Sequence, residues 1–272
     1  MPAASPASPS ASGAQVVTLD GIGKTFGNGT VALERLNLDV LPGEFLSLLG
    51  PSGCGKSTAL RIIAGLSEPS SGTIGWPQVQ GTGQPADASA ARHLSFVFQE
   101  PTLMPWATVA ANVRLPLKLA GIAPADAQPR VEAALARVGL ADFAGSYPRE
   151  LSGGMKMRAS IARALVTEPQ LLLMDEPFAA LDEITRFRLN NDLLALWQSL
   201  GKTVVFVTHS VFESVYLSQR IVVMTPRPGR VFTELAIDAP YPRDERFRTS
   251  ATYAAFCRQV SEAFARAMTR KP

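Results

Sequence analysis

Cysteine is scarce: Cys54 and Cys257 are the two thiols in a chain of 272 residues. Two cysteines so far apart make no disulfide framework, and their number fits a reducing compartment. Long hydrophobic runs are also missing. No stretch reaches the roughly 18 consecutive apolar residues of a bilayer-spanning helix, so work at a membrane would need a partner to hold the chain there. The opening "MPAASPASPSASGAQ" lacks the positive start and apolar centre of a secretory leader. Its Ala/Ser/Pro composition predicts a disordered tail over residues 1–15. An excess of one charge is absent too: 26 Lys and Arg stand against 23 Asp and Glu, a net charge of +3. That balance makes no case for a nucleic-acid partner. Arg227, Arg230, Arg243, Arg246 and Arg248 do gather late in the chain. They read as a solvated surface, the alternative being a patch that faces a membrane or another subunit.

What is present is a foldable, mixed sequence. Hydrophobic residues make up 46% and charged residues 18%, enough to bury a sizeable core in one large domain or a domain with a smaller lobe. "QVVTLDGIGKTF", "TVALERLNLDV", "EFLSLL", "HLSFVFQ", "QLLLMDEP", "TVVFVTH" and "IVVM" read as strands. Between them, "KSTALRIIAGL", "VEAALARVGL", "MKMRASIARAL" and "ITRFRLNNDLLALWQSLG" read as helices, several closed by glycine. Strands alternating with helices predict an α/β fold with a mainly parallel sheet. Residues 70–92 carry no clear pattern. Residues 250–267 place Tyr253, Phe256, Cys257, Val260 and Phe264 at helical spacing, an amphipathic helix that docks by its apolar stripe.

"GPSGCGKST" (50–58) follows the run "EFLSLL" and cannot pack a core. Gly50, Gly55, Lys56 and Ser57 match the spacing G-x-x-x-x-G-K-[ST], between a strand and a helix as that motif requires. Glycines let backbone N–H groups converge on phosphate oxygens, and the following helix turns its positive end to the same point. Lys56 would reach the β- and γ-phosphates, and the Ser57 hydroxyl would hold Mg²⁺. The loop from Gly50 through Pro51, Ser52, Gly53, Cys54, Gly55, Lys56 and Ser57 to Thr58 is therefore the candidate nucleotide cradle. Because Cys54 lies inside it, the cradle is expected to be sensitive to thiol reagents.

Three later stretches narrow the chemistry. "LLLMDEP" ends an apolar strand in Asp175, placed to help hold Mg²⁺, and Glu176 follows as a general base for an attacking water. "LSGGM" sets Ser152, Gly153 and Gly154 before a helix, either a simple N-cap or a second anion-binding device. "VFVTHS" delivers His209 at the end of a strand; taken alone it is an ordinary polar residue.

Together with Gln99 in "VFQE" and Asp182 in "ALD", these motifs occur in an order that resembles the nucleotide-binding subunit of ATP-binding cassette (ABC) transporters. The resemblance runs from about residue 16 to about 235. It implies a P-loop NTPase core with a mainly parallel sheet, an antiparallel β lobe and an α-helical signature lobe. The implied organisation is a cassette over 16–240, its helical lobe over about 100–165, and a helical extension over 241–272. ATP and Mg²⁺ are the implied cofactors. Phe26 would stack on adenine, Gln99 would contact Mg²⁺ or the attacking water, and His209 would hold the γ-phosphate and position Glu176. Ser152 and Gly154 would bind the ATP of a second copy or a similar subunit, and Asp182 would bridge the pair. Met155 and Met157 stand where many members carry Gln, and Phe26 where Tyr is commoner.

"VFQEPTLMPWATVAANVRLPL", "DEPFAALDEITR" and "VFVTHSVFESVYLSQRIVVMTPRPGRV" are similar to the ATPase subunits of the nitrate/sulfonate/taurine importers, a group that includes pyrimidine-precursor importers. That similarity implies an integral permease, indirectly a solute-binding protein, and a place on the cytoplasmic face of the membrane. Leu103, Met104 and Trp106 would meet the permease, or else pack in the core. An exporter subunit is one alternative. A soluble ATPase of DNA repair or translation is another, but it commonly carries a coiled-coil insert or two cassettes, and this chain has neither.

Overall fold

The computed structural model describes residues 15–76 and 94–269. Nearly all of the Ala/Ser/Pro-rich start and most of the unassigned stretch at 73–92 lie outside them. A three-stranded antiparallel sheet has the order β2-β1-β4, with β1 Val17–Thr25, β2 Val31–Val40 and β4 Ser71–Gly75. In β2, Leu36, Leu38 and Val40 are buried while Asn37 and Asp39 are exposed, the period of a strand with one face on a core. β4 falls where the sequence showed no pattern: its Ser, Gly and Thr carry little apolar signal, and it is held by pairing with β1, Leu19 opposite Ile74.

The larger sheet has six strands in the order β5-β6-β7-β3-β8-β9. β3 (Phe45–Leu49), β5 (Leu94–Val97), β6 (Leu171–Asp175), β7 (Thr203–Thr208) and β8 (Arg220–Met224) run parallel, and β9 (Val231–Ala236) closes one edge antiparallel to β8. β3, β6 and β7 are buried along their whole length. Both faces are covered, so these strands read as continuous apolar runs. Phe45, Leu172, Met174, Val204 and Phe206 join a core with the helices of one face. Leu46, Leu48, Leu171, Leu173, Val205 and Val207 join a second core with the antiparallel sheet and helix α1 (Lys56–Ile63).

Helices α2 (Val109–Leu119), α3 (Pro124–Arg137) and α4 (Gly153–Leu165) gather a third core around Val113, Leu117, Val131 and Leu135. Helix α5 (Glu183–Leu200), the short α6 (Val211–Leu217) and, after a short α7 (Glu245–Arg248), the C-terminal α8 (Ala251–Thr269) belong to the first core. On α8 the buried positions are Tyr253, Cys257, Val260, Ala263 and Ala267, whereas Phe256 and Phe264 are only partly buried. Two of the most deeply buried positions are alanines, whose small side chains let the helix sit close to the core.

Register decides where the site lies. Leu49 of β3 is level with Thr208 of β7, and Asp175 of β6 with Val207 of β7. The next residues, Gly50, Glu176 and His209, therefore leave the sheet at one edge, where ligands of open α/β sheets bind.

One buried cation joins the C-terminal extension to α6. Arg243 is 4% exposed. It donates to the carbonyls of Val215, Tyr216 and Ser218 at 2.9–3.0 Å and to those of Ile237 and Ala239 at 3.2 and 3.1 Å. Its guanidinium also lies 4.1 Å from the Tyr241 ring centroid. Arg243→Met would leave several buried carbonyls without donors, at a cost of about 3 kcal/mol or more. Urea denaturation should show that loss, and a change below about 1 kcal/mol would mean that water satisfies those carbonyls instead.

Candidate functional site

Helix α1 starts at Lys56, with Gly55 as its N-cap at φ +105° and no side-chain cap. A Cβ at Gly55 would stand 2.6 Å from Leu33 Cδ2 and 2.7 Å from the Ala32 carbonyl oxygen, so β2 leaves room there for glycine alone. The first N–H groups of α1 are thus free of a capping side chain and face the end of the sheet, an anion-binding arrangement.

Lys56 is 3% exposed. Its Nζ donates to the carbonyls of Gly50 (2.8 Å) and Pro51 (3.0 Å) and lies 3.3 Å from Glu176 Oε1. The other oxygen of Glu176 is 2.9 Å from His209 Nδ1. Glu176 adopts φ +45°, a left-handed conformation uncommon for a residue with a side chain, and its N–H bonds to the Val207 carbonyl at 3.1 Å. Ser57 Oγ donates to Asp175 Oδ1 at 2.7 Å. Burial pushes the Asp175 carboxyl upward in pKa, and the Ser57 hydrogen bond opposes that shift. Lys56, Ser57, Asp175, Glu176 and His209 therefore meet in one cleft beneath an open helix N-terminus. The cleft can bind a polyphosphate and present a carboxylate base beside it.

The other candidates lie around this cleft. Gln99 is exposed two residues beyond the end of β5, the neighbour of β6, and so on the same sheet edge as Asp175. Phe26 is 43% exposed at the β1–β2 turn, with Lys24 Nζ 5.7 Å from its ring centroid, so its ring is not core packing. Ser152 caps α4, its Oγ accepting from the Met155 N–H at 3.3 Å. Asp182 caps α5 by accepting from the Thr185 N–H at 2.9 Å, and that donor holds its carboxyl below the usual range. The two caps are neighbours: a Cβ on Gly153 would meet Leu181 Cδ2 at 3.2 Å. Gly154 is buried, and a Cβ there would come within 2.8 Å of Thr185 Cγ2, so close packing of α4 on α5 accounts for its missing side chain. Met157 is a core residue and Met155 packs partly against the helical core.

Cys54 corrects an expectation. Its thiol is 1% exposed, and burial raises its pKa. Burial thus disfavours the thiolate and shields the sulfur, which argues against a thiol-sensitive loop.

Sequence reasoning missed two residues. Glu213, buried on α6, accepts from Thr208 Oγ1 at 2.6 Å, and its N–H bonds to Ser210 Oγ at 3.3 Å. Its Oε1 is 3.7 Å from Arg186 Nε, and Arg186 Nη2 donates to the Leu181 carbonyl at 3.0 Å. The His209 loop is thereby joined to the loop before Asp182. The sequence signal was thin, a glutamate four residues after the histidine. The second residue is Arg227, whose guanidinium lies on the phosphate loop with no nearby signal beyond the late arginine cluster.

A family model described as "ABC transporter" matches residues 33–179, more than half of the chain. The chain belongs to the ABC transporter family. The nitrate import ATP-binding protein of a Synechocystis strain is 45% identical to it over 223 residues, 82% of this chain and 81% of the relative. The aliphatic sulfonates import ATP-binding protein of Bacillus licheniformis is 42% identical over 246 residues, 89% of this chain and 91% of the relative. Among solved structures, a dimeric ATP-binding cassette in a post-hydrolysis state with ADP and Pi superposes with a TM-score of 0.69 at 34% identity, covering 82% of this chain and all of the other. This ABC protein is accordingly an ATP-binding, ATP-hydrolysing transporter subunit with the P-loop NTPase fold.

The buried thiol yields a direct check. Cys54 should react with iodoacetamide at pH 7.5 much more slowly than free glutathione, followed by mass spectrometry of the loop peptide. Rapid labelling that blocks ATP binding would restore the thiol-sensitive reading.

Proposed function

We propose that the chain is the energy-coupling ATPase of an importer for a small solute, of the nitrate/sulfonate/taurine or pyrimidine-precursor type. It works as a pair of such subunits on the cytoplasmic face of the membrane, beneath an integral permease supplied by a solute-binding protein. The observation that carries the chemical reading is Glu176 held between Lys56 and His209 at the mouth of the phosphate loop. The importer reading rests on the likeness to the nitrate and sulfonate import subunits. No described helix is long and apolar enough to cross a membrane, which suits a subunit held there by a partner.

Lys56 now rests on the Gly50 and Pro51 carbonyls and would exchange them for β- and γ-phosphate oxygens. The loop from Gly50 to Thr58 would wrap those phosphates with its N–H groups, and Phe26 would stack on the base. Glu176 would orient and deprotonate the attacking water, with His209 fixing the carboxylate through Nδ1. Ser57 and Asp175 offer two hard oxygen ligands that already touch, which fits Mg²⁺, and Gln99 would add a third. Bound there, the ion would neutralise phosphate charge. No group of three or more His, Cys, Asp and Glu side chains that could hold a metal occurs among the described residues, so nucleotide oxygens and water would fill the rest of its shell. Ser152, Gly153, Gly154 and Asp182 would meet the nucleotide of the second subunit, so that hydrolysis waits for the pair to close.

Toward the permease, buried Asn112 fixes the loop after Gln99. Its Oδ1 accepts from the Met104 N–H at 2.7 Å, and its Nδ2 donates to the carbonyls of Met104, Ala107 and Thr108 at 3.0–3.1 Å. Leu103 turns in against the helical core, while Trp106 stands 77% exposed on this braced loop. Trp106→Ala should weaken co-purification with the permease while ATP binding stays intact; loss of both would point to a fold defect instead. Glu176→Gln should bind ATP and dimerise yet turn over at least about a hundredfold more slowly, as loss of a general base predicts. Near-normal turnover would remove Glu176 as the base.

A further inference from the structure

Accounting for the carbonyls of the phosphate loop isolates one residue outside the motif. A loop that turns its N–H groups inward must turn its carbonyls outward, and those need donors. The Gly50 carbonyl is held by Lys56, the side chain that the nucleotide's phosphates would recruit, and the Pro51 carbonyl by Lys56 and by the Cys54 N–H at 3.3 Å. The Gly53 carbonyl is held from outside: Arg227 Nε and Nη2 both donate to it, at 3.1 and 2.9 Å. Gly53 sits at φ +76°, the left-handed point at which the loop reverses.

The segment that carries Arg227 is itself braced. Thr225 Oγ1 donates to the Pro228 carbonyl and accepts from the Arg230 N–H, each at 3.0 Å. The Gly229 N–H bonds to the Ala32 carbonyl at 2.9 Å, and the Gly229 carbonyl accepts from the Glu34 N–H at 3.0 Å. Arg230 pairs with Glu34 at 2.6 Å. A Cβ on Gly229 would lie 2.0 Å from the Cys54 carbonyl oxygen, so this turn presses directly on the loop. It is wedged between β2 and the loop and presents Arg227 from a fixed base. Among the described residues no carboxylate pairs with Arg227, and its side chain is exposed.

We propose that Arg227 is a positioning residue for nucleotide binding: it holds the Gly53 carbonyl outward so that the loop stays cupped when Lys56 leaves its own carbonyls for phosphate. The contacts of Arg227 are to the loop backbone, so it would act on the shape of the loop rather than on the phosphates. It therefore supports ATP and ADP alike and leaves the chemical step unchanged, which is the signature of uniform binding. Two donors on one carbonyl need the planar fork of arginine, and a lysine ammonium supplies a single point of charge. The proposal rests on the shown binding of ATP by this family and is independent of the importer reading.

The test compares the parent protein with Arg227→Met and Arg227→Lys, using a fluorescent ADP analogue for Kd and steady-state hydrolysis for kcat and KM. Parental binding of the analogue establishes the nucleotide site itself; its absence would remove the premise rather than the positioning role. Arg227→Met should raise Kd for ADP and KM for ATP by a similar factor, about tenfold, with kcat within about twofold. Arg227→Lys should recover little of that loss. An exposed side chain predicts an unchanged Tm, so the effect is separable from unfolding. Unchanged affinity in Arg227→Met would overturn the proposal. So would full rescue by Arg227→Lys, which would reduce the effect to charge, or a fall in kcat at constant Kd.

Discussion

Glu176 is the constraint on which the site depends. One carboxylate oxygen faces the Lys56 ammonium and the other the His209 imidazole, and its own backbone is held in a left-handed conformation. That geometry requires three strands to end at one level, because Lys56, Glu176 and His209 follow β3, β6 and β7. Parallel pairing supplies the level, and apolar packing on both faces of the sheet keeps it. Strain at Glu176 is tolerated because β6, which leads into it, and β7, which pairs with β6, are buried along their length.

Around that centre the protein is braced from behind. The helix that follows His209 is tied at its start to Thr208 and Ser210 through Glu213, and near its end to Arg243 of the C-terminal extension. The extension therefore shares a core with the strands that carry the site and is no loose appendage. A buried guanidinium suits this position because five carbonyls from two segments converge there, and no apolar side chain could satisfy them. The loop before Asp182 is joined to the same helix through Arg186, so the two loops that flank the site in the proposed pair share a common support.

Much of this could be read directly. The phosphate loop, the apolar strand ending in Asp175 and Glu176, and the strand ending in His209 are local patterns with local causes: glycine spacing, continuous apolar runs and a polar residue at the strand end. The helical period of residues 250–267 was equally clear, although the sequence pointed to Phe256 and Phe264 where the structure buries Ala263 and Ala267. Hydrophobicity ranks a side chain by its size, whereas close helix packing selects a small one. β4 escaped notice because pairing with β1, rather than its own composition, makes it a strand.

The sequence by itself determined the chemistry on offer: a glycine-rich anion loop, adjacent carboxylates and a histidine, each at the end of a strand whose apolar run already defined it. Those features depend on neighbours within a few residues, so they survive reading in one dimension. Only the tertiary structure decided which partners those groups meet. The burial of Cys54, which pushes its thiol pKa up, comes from the core it shares with Leu60 and Met224. The packing role of Gly154 comes from Thr185 on another helix, and the donors to the Gly53 carbonyl come from a turn more than 170 residues away. Burial and hydrogen bonding are properties of the assembled fold, and no spacing along the chain encodes them.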